Sequence, residues 1–181
     1  MHCEQTPLRA VIRIFIVTLS LLLLGAGGST ITAATGTNAG CGYSITIKEA
    51  AKILDVPGND LQKNIRETLV SPDNLRNKTY QGIPCSYHFR SKTNFLKSIN
   101  YTVYVYNDLG RARQEFKKMR ENFSTVSKVE GVPNIGDEAF WVNDKRFHRM
   151  FVIKDKVMID VSTPHDPNLQ KQLLRLVLDK M

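Results

Sequence analysis

Apolar and polar residues recur along this chain with two different periods, and each change of period marks an element. Across residues 98–106, Ile99, Tyr101, Val103 and Val105 share one side, while Asn100, Thr102, Tyr104 and Tyr106 share the other. That is the period-two pattern of a strand. Residues 85–89 alternate in the same way, with Cys85, Tyr87 and Phe89 opposite Ser86 and His88. Ser91, Lys92, Thr93 and Asn94 read as the hairpin loop between the two strands.

Helical spacing appears three times. Ile47, Ala50, Ala51 and Leu54 fall on one helix face, and Thr46 with Glu49 three residues on forms a capping-box signature. Asp108 can cap a helix over residues 109–122, whose apolar stripe is Leu109, Ala112, Phe116 and Met119. Asp166 followed by Pro167 opens a terminal helix with Leu169, Leu173, Leu176 and Val177 inside. Between these helices, Pro133 and Gly136 punctuate the chain, and Ala139, Phe140, Trp141 and Val142 begin a run of short apolar strands reaching Val161. Turns at residues 143–145 and 154–155 make that run a three-strand antiparallel meander. Residues 125–129 read as a strand leading into it. Residues 59–76 lack a firm period, and a short helix over 60–69 is the expectation there.

The order is therefore α-β-β-α-β-β-β-α. It predicts an α+β fold, an antiparallel sheet with helices packed on one face. Residues 44–181 form its single domain.

The amino terminus sets the compartment. Arg9 and Arg13 precede an apolar run over residues 14–24, and small residues follow at Gly25–Gly28 and Thr32–Ala34. This is the plan of a secretory signal peptide. The run is short of the roughly 20 apolar residues that a spanning helix needs. Residues 1–34 are assigned to the signal, with cleavage between Gly27 and about Gly36. Residues 35–43 are assigned to a flexible leader. A periplasmic or secreted location follows. The competing reading is lipid attachment at Cys41, which follows Ala39-Gly40. Against it, Asn38 is polar and Cys41 lies well downstream of the apolar run. Cys3 leaves with the signal, so Cys41 and Cys85 remain as a pair suited to one disulfide in an oxidising compartment. Two cysteines this far apart in sequence lack the close ligand pairing of zinc sites.

Charge narrows the partners. The chain carries +8 overall, and residues 35–181 hold 23 basic and 16 acidic residues, a net of +7. An exported basic protein meets phospholipid headgroups, acidic polysaccharide, cell-wall polymers or acidic proteins, with nucleic acid not expected in that compartment. The densest basic face lies on the helix over residues 109–122, where Arg113, Lys117 and Arg120 fall close together at helical spacing.

Catalytic chemistry has no foothold in the pattern. No Gly-x-Ser-x-Gly elbow, phosphate-cradling glycine loop or His-Glu-x-x-His motif occurs. His88, His148 and His165 each lack a second ligand at metal spacing on their own element, so neither a metal nor a cofactor is expected. Asp137 and Glu138 are adjacent, and neighbours on a strand point to opposite faces, which suits turn hydrogen bonds better than paired acid–base work. The aromatic residues Tyr87, Tyr101, Tyr104, Tyr106, Phe140 and Trp141 read as core, or as the lining for a small apolar ligand. The leading expectation is a non-catalytic binding or adaptor module of the cell envelope with a basic surface for an anionic partner. A carrier of a small apolar or lipid-like ligand is second, and an enzyme of unrecognised type third.

Several residues together resemble a group of small exported bacterial proteins and lipoproteins with a PsbP-like α+β fold. They are the helix after Cys41 (residues 46–54), Cys85-Ser86-Tyr87, Gly136-Asp137-Glu138-Ala139-Phe140-Trp141 and the hairpin strand around Lys154. The resemblance spans residues 41–181. It implies a fold and a compartment, and a first cysteine that either pairs with the second or carries lipid. It implies no catalytic residue.

Overall fold

A computed structural model of the protein describes residues 39–68, 79–143, 148–163 and 166–181. The segment assigned to the signal peptide lies outside these residues. The stretch assigned to the leader is structured from Ala39 onward, in a 3-10 turn over Ala39–Gly42. Cys41 in this turn and Tyr43 just after it pack against the core. The phenol oxygen of Tyr101, inside the sheet, accepts the Ile45 N–H at 2.9 Å and donates to the Tyr43 carbonyl at 3.1 Å. Cys41 and Cys85 are brought together with Cα atoms 5.2 Å apart, within the disulfide range.

Helix α1, Ile47–Leu54, starts where its cap residues require. The Thr46 hydroxyl accepts the Glu49 N–H at 3.1 Å, and the Glu49 carboxylate accepts the Thr46 N–H at 2.6 Å. Two of the helix's orphan donors are thereby satisfied. Ala50, Ala51 and Leu54 are buried. Residues 61–67 then form strand β1, Leu61–Glu67, where a helix was expected. The reason is positional. β1 is an edge strand in which only Leu61 is buried, so its side chains carry no core-facing alternation to read. Backbone pairing holds it, from Leu61 opposite Ser91 to Glu67 opposite Cys85.

The remaining elements are β2 (Cys85–Ser91), β3 (Ser98–Val105), α2 (Leu109–Ser124), β4 (Lys128–Gly131), β5 (Glu138–Asn143), β6 (His148–Lys154), β7 (Val157–Thr163) and α3 (Pro167–Leu178). All strands join one antiparallel sheet in the order β1-β2-β3-β7-β6-β5-β4. The last strand of the meander therefore pairs with β3 at the middle of the sheet, with Tyr101 opposite Val161 and Val103 opposite Ile159.

The fold is α+β, but its helices do not share one face. One core cluster joins α1 and α3 to Tyr87, Phe89, Tyr101, Trp141, Met150 and Val161. A second joins Ala112 and Phe116 of α2 to Phe140, Val142, Phe151, Ile153 and Met158. These two residue sets alternate along β5, β6 and β7, so they lie on opposite faces. The physical cause was present in the chain: residues 139–142 and 150–153 are apolar without interruption, and a strand apolar on both sides must be covered on both. Phe140 stacks on Phe151 at 4.9 Å and meets Phe116 at 5.0 Å, which seats α2.

Candidate functional site

Helix α2 covers the second face of the sheet only over its β4–β7 half. On β1, β2 and the Ser98–Thr102 part of β3 that same face stays polar, while Tyr104 at the far end of β3 joins the second core. The antiparallel register sets Asn64, His88 and Asn100 side by side in one rank. Arg66, Ser86 and Thr102 form the next, and Gln62, Arg90 and Ser98 a third. Asn64, Arg66, His88, Arg90 and Asn100 are exposed, and Ser86 and Thr102 half-buried. A shallow cleft of about 270 Å³ lies over the first two ranks. We refer to this surface as the shelf.

The shelf floor is ordered by hydroxyls. Thr68 Oγ1 lies 2.7 Å from Ser86 Oγ, which lies 2.8 Å from Thr102 Oγ1. Opposite Thr102 in the next strand is Asp160, 9% exposed and held by Arg149 through a two-point ion pair. Burial pushes the Asp160 carboxyl up, and Arg149 opposes that rise. The guanidinium also lies over the rings of Phe151 (4.9 Å) and Phe123 (5.3 Å), so α2 and the sheet both fix it in place. This clamp separates the polar half of the face from the aromatic half.

His88 stands between Arg66 and Arg90. Its pKa is lowered, first by burial and then by the two guanidinium charges. Neither arginine forms an ion pair among the described residues. Two guanidinium groups without a carboxylate partner among the described residues, a histidine, two amides and a hydroxyl rank can bind an anionic group through several charge-assisted and neutral hydrogen bonds. The Ser86 hydroxyl next to His88 is engaged by Thr68 and Thr102, an arrangement that suits binding.

The residues singled out from sequence sit elsewhere. Arg113, Lys117 and Arg120 are all exposed on α2, and Lys117 is already 3.8 Å from Glu121. Arg111 is likewise 3.7 Å from Glu115, which leaves Arg113, Lys118 and Arg120 without a carboxylate partner among the described residues. His148 is half-buried with its ring 5.9 Å from that of Trp141, and His165 lies outside the described residues. Asp137 accepts the Asp155 N–H at 2.8 Å and so fastens the β6–β7 turn. Among the aromatic residues, Tyr87, Tyr101, Tyr106, Phe140 and Trp141 are buried. A second cleft, about 330 Å³, runs beside Trp141, Lys171 and Pro167 at the start of α3. Among the described residues no group of three or more His, Cys, Asp and Glu could hold a metal ion, and no helix is long and apolar enough to cross a membrane.

Sequence reasoning placed His88 on the face away from the core but missed the shelf, because β1 supplies Asn64 and Arg66 and was read as a helix. The alternation of polar residues in β2 and β3 was the available signal.

No protein-family model and no curated protein sequence matches the chain. Among solved structures, the extracellular domain of PknH from Mycobacterium tuberculosis is similar, with a TM-score of 0.54 at 11% identity over 77% of this chain and 93% of that one. At that identity the likeness is one of fold. A GTP binding regulator from Thermotoga maritima also aligns, with a TM-score of 0.45 at 12% identity over 76% of this chain and 90% of that one.

Proposed function

We propose that this chain is an exported, non-catalytic binding domain of the cell envelope and that it takes an anionic partner on the shelf. One observation carries the reading. Arg66 and Arg90, unpaired by any described carboxylate, flank His88 on the half of the sheet that α2 does not cover. Two exposed charges of this kind would be unremarkable on a solvated helix. On a sheet face otherwise built of amides and hydroxyls it makes a defined receptor for phosphate or carboxylate. The net positive charge of the chain draws such partners in. Export is supported by the signal-like amino terminus, by the Cys41–Cys85 approach, and by the extracellular placement of the PknH domain that shares the fold.

Two triple replacements separate the shelf from α2. Arg66, Arg90 and His88 replaced by Glu, Glu and Gln should abolish retention on immobilised inorganic polyphosphate and polygalacturonate. Replacing Arg113, Lys117 and Arg120 by Glu should leave part of that retention in place. The opposite pattern would move the contact to α2, and retention by neither matrix would remove anion capture from the account. Which matrix is preferred tells phosphate from carboxylate.

A further inference from the structure

The β2–β3 hairpin turns over residues 92–97 and ends in two outward apolar side chains. Phe95 is 68% exposed and Leu96 53%. The turn carrying them is tightly braced. The Asp60 carboxylate accepts hydrogen bonds from the Ser91 hydroxyl at 2.5 Å and the Thr93 hydroxyl at 3.1 Å. The Ser91 oxygen in turn accepts the N–H groups of Thr93 and Asn94, and Asn94 Oδ1 accepts the Leu96 N–H. Lys92 donates to the Asn59 carbonyl at 2.7 Å, and Lys97 to the Leu54 carbonyl, at the end of α1, at 2.9 Å. A fixed turn thus holds an adjacent phenylalanine and leucine in water between two lysines. Residues 90–97 contain three basic residues and no acidic one.

We infer that this tip inserts into the surface of an anionic phospholipid bilayer. Phe95 and Leu96 enter the headgroup region, and Lys92 and Lys97 meet the phosphates with the ammonium donors that the Asn59 and Leu54 carbonyls leave free. Size decides for lipid over protein: two side chains fall far short of the roughly 1,000 Å² that a specific protein interface buries. A few apolar groups ringed by cations are what a reversible membrane contact uses. Because the turn is already braced, little order has to be gained on insertion. The tip lies at the end of the β2–β3 hairpin and does not depend on the shelf, so either can fail without the other.

The test places a fluorophore at the tip of the full chain. The Phe95→Trp variant is mixed with vesicles of phosphatidylcholine alone or containing phosphatidylglycerol, and wild-type emission, which comes from Trp141, is subtracted. The introduced indole should shift to the blue and be quenched by brominated lipid on the anionic vesicles only. Adding Leu96→Ser should weaken vesicle binding by about tenfold or more. An unshifted indole on protein that still sediments with vesicles would overturn the inference, because some other segment would then be the anchor. An equal shift on neutral vesicles would overturn the role given to the two lysines.

Discussion

Tyr101 offers the sharpest test of how the amino-terminal segment is held. Its ring is 2% exposed and stacks on Tyr87 at 4.6 Å. Its hydroxyl is the acceptor for the Ile45 N–H and the donor to the Tyr43 carbonyl. Burial, with a further push from neighbouring Tyr87, holds its pKa well above the ordinary phenol range against the lowering effect of the Ile45 N–H, so it remains a neutral donor throughout. Tyr101→Phe keeps the stacked ring and removes one oxygen. Ile45 is fully buried, so its N–H loses its acceptor and water cannot replace it, at a cost of about 1–3 kcal/mol. Tyr43 is half-buried, and its carbonyl regains water at a cost of about 0.5–1 kcal/mol. The sum is about 1.5–4 kcal/mol, a fall in melting temperature of about 5–14 °C for a domain of this size. Urea unfolding at neutral pH, run with and without reductant, measures it, and the slope should not change. A loss under about 0.5 kcal/mol would refute the reasoning, since an orphaned buried N–H cannot be that cheap.

Further outcomes follow from single contacts. Gly136 has φ +62°, and an added Cβ would lie 2.5 Å from the Ile153 carbonyl oxygen and 2.6 Å from Val152 Cγ1; Gly136→Ala should therefore displace the Asp137–Ile153 backbone bond and cost about 3 kcal/mol by denaturant unfolding. Arg149→Met leaves Asp160 buried without its partner and should cost about 3–5 kcal/mol at pH 7. Burial already raises the folded Asp160 pKa, and without Arg149 to oppose it the rise grows, so that variant should lose stability more steeply as the pH rises, and a pH series of melts reads the trend. Glu49 behaves in the opposite way. The Thr46 N–H, with help from Lys180, holds its carboxyl below the usual range, so its contribution is complete above about pH 4.3 and is lost as pH falls through the folded value. Glu49→Gln should flatten that acid limb of the stability curve. Closing the Cys41–Cys85 loop, 44 residues in separation, should add about 4 kcal/mol in the chain-entropy model, read as the stability lost in Cys85→Ala.

Where side chains meet the core with a clean period, the chain announced its structure. The capping residues Thr46, Asp108 and Asp166 each stand at the helix start they predict, because a cap acts within one turn and needs nothing distant. β3 was legible for a related reason, its alternation being set by one buried face. β1 was not, since an edge strand with one buried residue is fixed by its partner's backbone and not by its own pattern. Placement of α2 opposite α1 and α3 depends on which strands lie under it. That depends on the β3–β7 pairing, a contact between residues far apart in sequence. The shelf inherits both gaps: Arg66 comes from the unread strand, and His88, which has Arg90 two residues along its own strand, acquires Arg66 only when β1 and β2 pair.

The shelf is tested most directly by the imidazole at its centre. His88 can be followed by NMR through a pH titration, with and without inorganic polyphosphate. Its pKa, lowered by burial and by Arg90 and Arg66, should rise when an anion settles between those arginines. The rise should vanish in Arg66→Gln/Arg90→Gln, whose anion-free His88 already titrates higher than wild type. Polyphosphate that binds the protein while leaving the His88 titration unmoved would contradict the account and place the anionic partner on another surface.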